Sequence, residues 1–497
     1  MFLILLVAII GLILFLVRRH YSYWKRLGVP GPEPVPILGN LGKILTGKVS
    51  QGDIYEEIYR NYEGHSFVGL YRFTTPCLLV RDPDFIKNIF LRDFKHFQNN
   101  DLEVDKEIDP IFGRNPFVLK GAEWKTTRQQ LTPCFTSGKM KGMFPLLEKS
   151  AIRMMKYVED ETKNCTCLEA RELCVRFTLE NVAYCAFGIE GKCFDEQCSK
   201  FKQLADEFFD SQSLWQKIKF TLFSVAPSLF FFIKVRLVSR EVHDKLITLV
   251  TSTMEYRKKH NIVRNDFLDS IIQLSKTTEF FTEVDIAAHA ASFFGDGFET
   301  SSRVMSFLIF EIAMNPEVQQ KLREEINECL KKTDGELTYE CIQDMVYLDM
   351  CLQESLRKYP VISQLGKKCT ERYTYKPIDP QYKNISVTVE PGTSIILPVG
   401  ALQNDPKYFK DPEKFIPERF SSKENYNRYT YFPFGEGQRE CLGKRFGTTQ
   451  IKIGVAHLVK NFQLTVDRKT QLPLKFDPLY FLISAVGGLW INVRKIE

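Results

Sequence analysis

Tryptophan and histidine are scarce in this chain, with 4 and 7 residues among 497. Cysteine is spread too thinly for a disulfide scaffold. There are 13 over that length, an odd number, so at least one thiol stays free or binds something. The net charge is only +6, from 67 basic and 61 acidic residues, and no concentrated basic stripe exists for nucleic acid. No repeat of fixed period and no serine-glycine linker after residue 50 divides the chain. What is there is apolar and aromatic. Hydrophobic residues make up 44% and phenylalanine alone counts 40, which excludes disordered and fibrous classes and predicts a greasy, aromatic core.

The longest apolar run comes first. Met1 to Val17 reads MFLILLVAIIGLILFLV without a charge, and Arg18, Arg19, His20, Lys25 and Arg26 follow it. At 1.5 Å per residue such a run spans about 26 Å, the lower limit for a bilayer helix. A cleaved secretory signal would start with basic residues and end in a small-x-small site, and neither is present. The reading is a retained transmembrane signal-anchor over 1–17, with the basic side and the rest of the chain facing the cytoplasm. That is a reducing compartment where disulfides are rare, and where the sequons at Asn164 and Asn384 stay unmodified.

Residues 18–40 read as a basic and proline-rich linker, with Pro30-Gly31-Pro32-Glu33-Pro34-Val35-Pro36 as a stiff extended spacer. The remainder, 41–497, reads as one domain, mainly α with a small β portion. Apolar residues recur at helical spacing over 319–329 and 348–359. Short strand-like pieces occur at 66–71, 77–80, 386–389 and 394–397, and no strand-helix alternation supports a parallel sheet.

Chemistry concentrates around one cysteine. Residues 432–447 read FPFGEGQRECLGKRFG, and an apolar helical run from Phe446 to Phe462 follows. Glycines there let the backbone bend and approach a bulky group. A cysteine just before a helix N-terminus, with Arg439 two residues away, predicts a favoured thiolate, suited to a nucleophile or a metal ligand. The glycine pattern lacks the third glycine and the β-α-β context of a dinucleotide site, and no CxxC pair supports a four-ligand zinc site. The spacings Cys165-x-Cys167 and Cys193-x4-Cys198 read as unpaired thiols.

The segment Phe434-Gly435-x-Gly437-x-Arg439-x-Cys441-x-Gly443 resembles the heme-binding signature of the cytochromes P-450. Four further segments are similar to that family in the expected order. They are Trp124-x3-Arg128, Gly297-Phe298-Glu299-Thr300-Ser301, Glu354-x2-Arg357 and Pro417-Glu418-Arg419-Phe420. The anchor and hinge resemble the microsomal animal branch, and FFGDGFETSS with KKCTERY resembles its insect-like, xenobiotic-metabolising members.

The resemblance implies a heme (iron protoporphyrin) cofactor with Cys441 as axial ligand of the iron. It implies Arg439, Trp124 and Arg128 at the propionates and Phe434 beside the thiolate. Lys367 stands where many relatives carry arginine, giving a point charge instead of a fork. It implies a structural ion network of Glu354, Arg357 and Arg419, and Thr300 with Glu299 as the route of protons to bound oxygen.

Asp296 occupies a place where relatives carry a small residue. One turn before Thr300, it is read either as part of the proton path, as a contact to a polar substrate, or as a capped side chain. Gly297 suggests close approach of dioxygen to the backbone. His289 reads as a buried histidine, not a ligand. The phenylalanine-rich stretch 208–237 reads as lid helices that dip into the membrane, or as ordinary core.

The implied function is a heme-thiolate monooxygenase of lipophilic substrates in the endoplasmic reticulum membrane. Its electrons come from NADPH through NADPH-cytochrome P-450 reductase, with cytochrome b5 as an optional second donor. A reductase-free isomerase or dehydratase, or a non-enzymatic heme sensor, stands as the alternative. Lys444, Arg445, Lys125, Lys139 and Lys141 are the cations expected to steer the acidic reductase.

Overall fold

The computed structural model describes residues 1–163, 165–195, 199–209, 213–264, 266–276, 282–383 and 386–496. Asn164, Asn384 and Cys198 lie outside the described residues.

The chain enters through a helix over Phe2–Tyr21, ending four residues past the predicted run, with none of its side chains buried. It is the one helix among the described residues long and apolar enough to cross a membrane, with a mean hydropathy of 2.6. The proline-rich segment behind it is not a free spacer. Trp24 is 3% exposed, and its Nε1 donates to Leu70 O at 3.0 Å. The Gly69 amide donates to Pro30 O at 2.8 Å, and Asn40 Nδ2 reaches Pro32 O at 3.2 Å. Prolines forbid helix here, but their carbonyls still accept, so the extended segment docks on the first strand.

Ten strands form three sheets among the described residues. β1 (Phe67–Arg72), β2 (Thr75–Val80), β3 (Asn99–Asn100), β5 (Leu365–Lys368) and β8 (Ser394–Leu397) make one sheet in the order β1-β2-β8-β5-β3. Only the β2–β8 pair in it is parallel. β4 (Cys167–Glu169), β10 (Trp490–Lys495) and β9 (Phe462–Val466) form a second, and β6 (Tyr373–Tyr375) with β7 (Val387–Val389) a third. The predicted strand pieces at 66–71, 77–80 and 394–397 fall on β1, β2 and β8, and the described part of 386–389 on β7.

The larger core is helical. At its centre runs the distal helix, Glu283–Met314, 32 residues long. It starts on a capping box between Thr282 and Asp285 and ends at Asn315, because Pro316 denies the preceding residue a helical conformation and opens the next helix. It packs most extensively against the helix Ala170–Val182. The close approach depends on Gly297, where a Cβ would lie 3.0 Å from Val182 Cγ2. That corrects the expectation that Gly297 makes room for dioxygen: its missing side chain faces the neighbouring helix. The second core cluster lies around the five-stranded sheet and includes Trp24 and Val29.

Another correction concerns the cysteines. Cys329 and Cys341 are bridged, with Cα atoms 6.0 Å apart. The chain leaves the helix Pro316–Lys332 and returns through Tyr339–Asp344, which brings the pair together. Compartment alone does not foresee that geometry. Cys165, Cys167 and Cys193 are free, as expected.

Candidate functional site

The cysteine loop is built by its glycines. Gly435 and Gly437 take φ of +69° and +71°, and a Cβ on Gly437 would meet Phe90 O at 2.4 Å. Only glycine turns the chain this tightly against that carbonyl. The loop closes through Cys441 N donating to Phe434 O at 2.8 Å, and Gly443 caps the helix Lys444–Asn461. Cys441 therefore sits where the sequence put it, immediately ahead of a helix N-terminus.

In the protein alone, burial pushes the Cys441 thiol up to about 11, Asp296 and Glu440 add to that, and the Gly443 amide and Arg128 oppose it. A cation bound directly to the sulfur offsets that desolvation and gives the thiolate expected from the sequence.

Around the loop lies a cluster of cations. The Arg439 guanidinium stacks 4.0 Å over the ring of Trp124, a tryptophan 4% exposed. Arg439 donates to Gln98 O, Pro116 O and Leu119 O at 2.7, 3.0 and 2.8 Å, which fixes its plane. Lys367 is 3% exposed and finds Asn100 Oδ1 at 2.8 Å, a neutral acceptor placed opposite it by the β3–β5 register. Burial, then Arg439, pulls the Lys367 ammonium down to about 7. Burial, then Arg128, pulls Arg439 down as well. No described residue accepts a hydrogen bond from the Arg128 side chain, which only Cys441 and Glu440 favour in its charged form. Three partly or wholly buried cations thus converge with too little negative charge between them. Such an arrangement is stable once a multiply charged anion joins it.

Across from the loop stands the distal helix. Asp296 and Cys441 both keep open surface although each lies deep in the body of the protein, so both line internal space. Asp296 Oδ2 accepts from Asn115 Nδ2 at 2.8 Å, and burial raises the carboxyl to about 6. Thr300 Oγ1 donates to Asp296 O at 2.9 Å, the backward bond to the carbonyl one turn earlier that bends helices. His289 is buried, and burial lowers it to about 4, in keeping with a core histidine.

Glu299 does not serve as expected. Its carboxylate is 2% exposed and bound by Arg303 at 2.6 Å, by Arg171 at 2.8 Å and by Tyr480 Oη at 3.1 Å. The two guanidinium groups hold it at about 2 despite burial. A group so held carries no proton to give near neutrality, so the proton-donor reading of Glu299 is replaced by a structural one. It ties the distal helix to the helix Ala170–Val182 and to the C-terminal loop, where Arg303 also reaches Ile483 O at 2.7 Å.

The second ion network matches the sequence. Glu354 and Arg357 are both fully buried and meet at 2.7 Å, and Arg419 joins Glu354 at 3.2 Å. Arg357 also donates to the carbonyls of Gln403 and Pro412. The triad pins the loop before the cysteine segment to the helix Val346–Lys358.

The stretch 208–237 divides. Phe208, Phe209, Phe220 and Phe230 are core, while Leu214, Trp215, Ile218, Leu229, Phe231 and Phe232 are exposed. Phe220 stacks on Phe481 at 4.4 Å, and Phe209 meets both Phe298 and Phe481, so the inner side is a phenyl roof over the distal helix.

Of the cations expected to steer a reductase, Lys125, Lys141, Lys444 and Arg445 are exposed and Lys139 is half-buried. Lys444 pairs with Glu440 and Lys141 with Glu340.

A cysteine open to internal space, converging cations short of an anion and an apolar roof fit an iron-centred, dianionic, planar group. The comparisons agree. The family model of cytochrome P450 matches residues 29–490. The chain is 38% identical over 506 residues to a Drosophila melanogaster protein named probable cytochrome P450 6a13, covering 100% of this chain and 99% of that one. It is 35% identical to cytochrome P450 6j1 of Blattella germanica, over 98% of this chain and 96% of that one. Cytochrome P450 9e2 of the same insect is 32% identical, over 98% and 97%. The chain belongs to the cytochrome P450 family and is a heme-thiolate monooxygenase, which inserts one atom of dioxygen into a substrate.

Proposed function

We propose that Cys441 would ligate the heme iron, that Arg128, Arg439, Trp124 and Lys367 would hold the propionates, and that the enzyme oxidises foreign lipophiles reaching it from the endoplasmic reticulum membrane. The observation that carries this reading is the cation cluster beside Cys441, short of an anion that two propionates supply. Bound heme supplies dioxygen binding and O–O cleavage, with the thiolate pushing electron density to iron.

The chain's own residues do the rest. The Phe434 carbonyl accepts from the Cys441 amide and so closes the loop that presents the sulfur. Arg439, stacked on Trp124 and bound to three carbonyls, presents its charge at a fixed position. The Thr300 hydroxyl positions the proton donor, and Asp296, one turn before it, keeps open surface. Glu354, Arg357 and Arg419 fix the segment leading to the loop.

NADPH-cytochrome P-450 reductase, with cytochrome b5 as an optional second donor, docks on the exposed cations Lys125, Lys141, Lys444 and Arg445. The exposed Leu214, Trp215, Phe231 and Phe232 support a second membrane contact beside the anchor, with the domain on the cytoplasmic side. Turnover of a lipophilic probe with and without reductase and NADPH tests the reading. Product only with both is expected, and rearrangement of a peroxide without either would replace it by the isomerase class.

A further inference from the structure

We infer that Asp296 is a substrate-recognition residue and that this enzyme takes lipophilic amines, holding their cationic nitrogen against its carboxylate in the internal space near Cys441. The inference rests on the heme-thiolate reading and adds the substrate class to it.

The carboxylate is placed rather than loose. Asn115 is 6% exposed, and its Oδ1 accepts from the Phe117 amide at 2.8 Å. That bond leaves Nδ2 aimed at Asp296 Oδ2, also at 2.8 Å. The Asn115 segment is in turn fixed by Arg439 through Pro116 O and Leu119 O. One oxygen of Asp296 is thus anchored. No described residue donates to the other, Oδ1, and the side chain keeps open surface inside the protein.

No cation of the described residues balances it. Arg303 and Arg171 are taken by Glu299. Arg128, Arg439 and Lys367 belong to the cluster beside Cys441. Phe294 and Phe298, two residues to either side on the helix, turn away from Asp296 and pack with Phe208 and Phe209 as an apolar layer behind it. Phe112 stacks toward Phe208 with centroids 6.1 Å apart. A carboxylate with no cation beside it, open to internal space, is a poor environment for a neutral hydrocarbon and a good one for an organic cation, which it attracts in a low dielectric.

A proton-relay role has less support from the geometry. The Thr300 hydroxyl is bonded to the backbone carbonyl of Asp296, not to its carboxylate. The Asn115 amide, which has no proton to pass on at neutral pH, occupies the carboxylate's other side.

The test uses the full-length holoenzyme in lipid nanodiscs and equilibrium dialysis of two probes. One is trimethyl(4-phenylbutyl)ammonium, whose quaternary nitrogen has no lone pair and cannot coordinate iron. The other is its neutral tert-butyl isostere. Asp296→Asn, which keeps size and shape, should weaken the ammonium by roughly 10- to 100-fold, the range expected for removing one partner of a desolvated charge pair. It should leave the isostere within about threefold. Asp296→Ala should do the same, so the result does not depend on one variant's packing. Equal changes for both probes, or no change for either, would overturn the inference. So would unaltered ammonium affinity in Asp296→Asn together with more peroxide per NADPH on an apolar substrate, which would make Asp296 part of the proton path. The carbon monoxide spectrum of the reduced wild-type protein reads the underlying heme-thiolate assignment separately. Absence of a thiolate-type band there would sink that assignment whatever the ammonium does.

Discussion

Asp296 and Glu299 sit three residues apart on one helix, yet they live in opposite worlds. Glu299 faces the helix Ala170–Val182 and the C-terminal loop, grips two arginines and a tyrosine, and stays ionised down to about 2. Asp296 faces the internal space, has one amide for company, and is pushed up to about 6. The outer face of the distal helix is spent on cohesion, and the inner face is left free for chemistry. Three residues at 100° each amount to about 300°, so the two side chains lie only about 60° apart round the helix, and it is the partners that other elements bring to each that separate their environments. Adjacency to Thr300 in sequence made Glu299 look like the chemical residue. Burial and partners decide otherwise.

The sharpest test of which face meets the iron is Cys441→Ala. It should abolish the thiolate-type band of the reduced carbon monoxide complex and all monooxygenase turnover, and Cys441→His should move the band to the histidine type. A surviving thiolate band would mean the inner face looks onto something else.

Glu299→Gln breaks the outer face. It strands Arg171 and Arg303 in the core, and removing one partner of a buried pair costs about 3–5 kcal/mol. Chemical denaturation should show that loss. Acid should show it too: the folded value is about 2 against an ordinary 4.5. The corresponding stability, about 3 kcal/mol, is fully present above pH 4.5 and drains away as pH falls towards 2. In the surviving folded fraction, product formed per NADPH should stay at the wild-type level. Uncoupling there would return Glu299 to the proton path.

Thr300→Ala probes the inner face directly. It should bind and reduce heme normally but divert electrons, raising peroxide per NADPH severalfold. Tight coupling in this variant would defeat the positioning role of the hydroxyl.

Reversing charge at Lys444 together with Lys125 touches neither face and serves as the control. Exposed charges steer partners weakly and are screened by salt, so reductase-driven turnover should fall about two- to fivefold at low ionic strength. Peroxide-driven turnover should not change. Equal losses in both assays would point to a damaged heme site.

Much of this was legible in the sequence because it is local. The cysteine loop announces itself through glycines that only tight φ values require. Glu354 and Arg357 are three apart on one helix. The strands over 67–72 and 75–80 are short β-rich runs on either side of a tight turn. What escaped is what the chain brings from afar. Arg171 reaches Glu299 across 128 positions and Asn115 reaches Asp296 across 181. No spacing rule sees either contact. Arg303 was within reach of sequence reasoning, since it lies one helical turn beyond Glu299. The desolvation of Cys441 escaped for a related reason: the helix end and the nearby arginine can be read from the sequence, but burial belongs to the folded protein.

The docked segment behind the anchor has a mechanical consequence. Tyr71 Oη donates to His20 O at 3.0 Å, and Trp24 is pegged into the sheet core four residues on, so no swivel separates the first helix from the body. Were that helix held in a bilayer, its tilt and the tilt of the domain would be a single variable instead of two, coupled through a tryptophan.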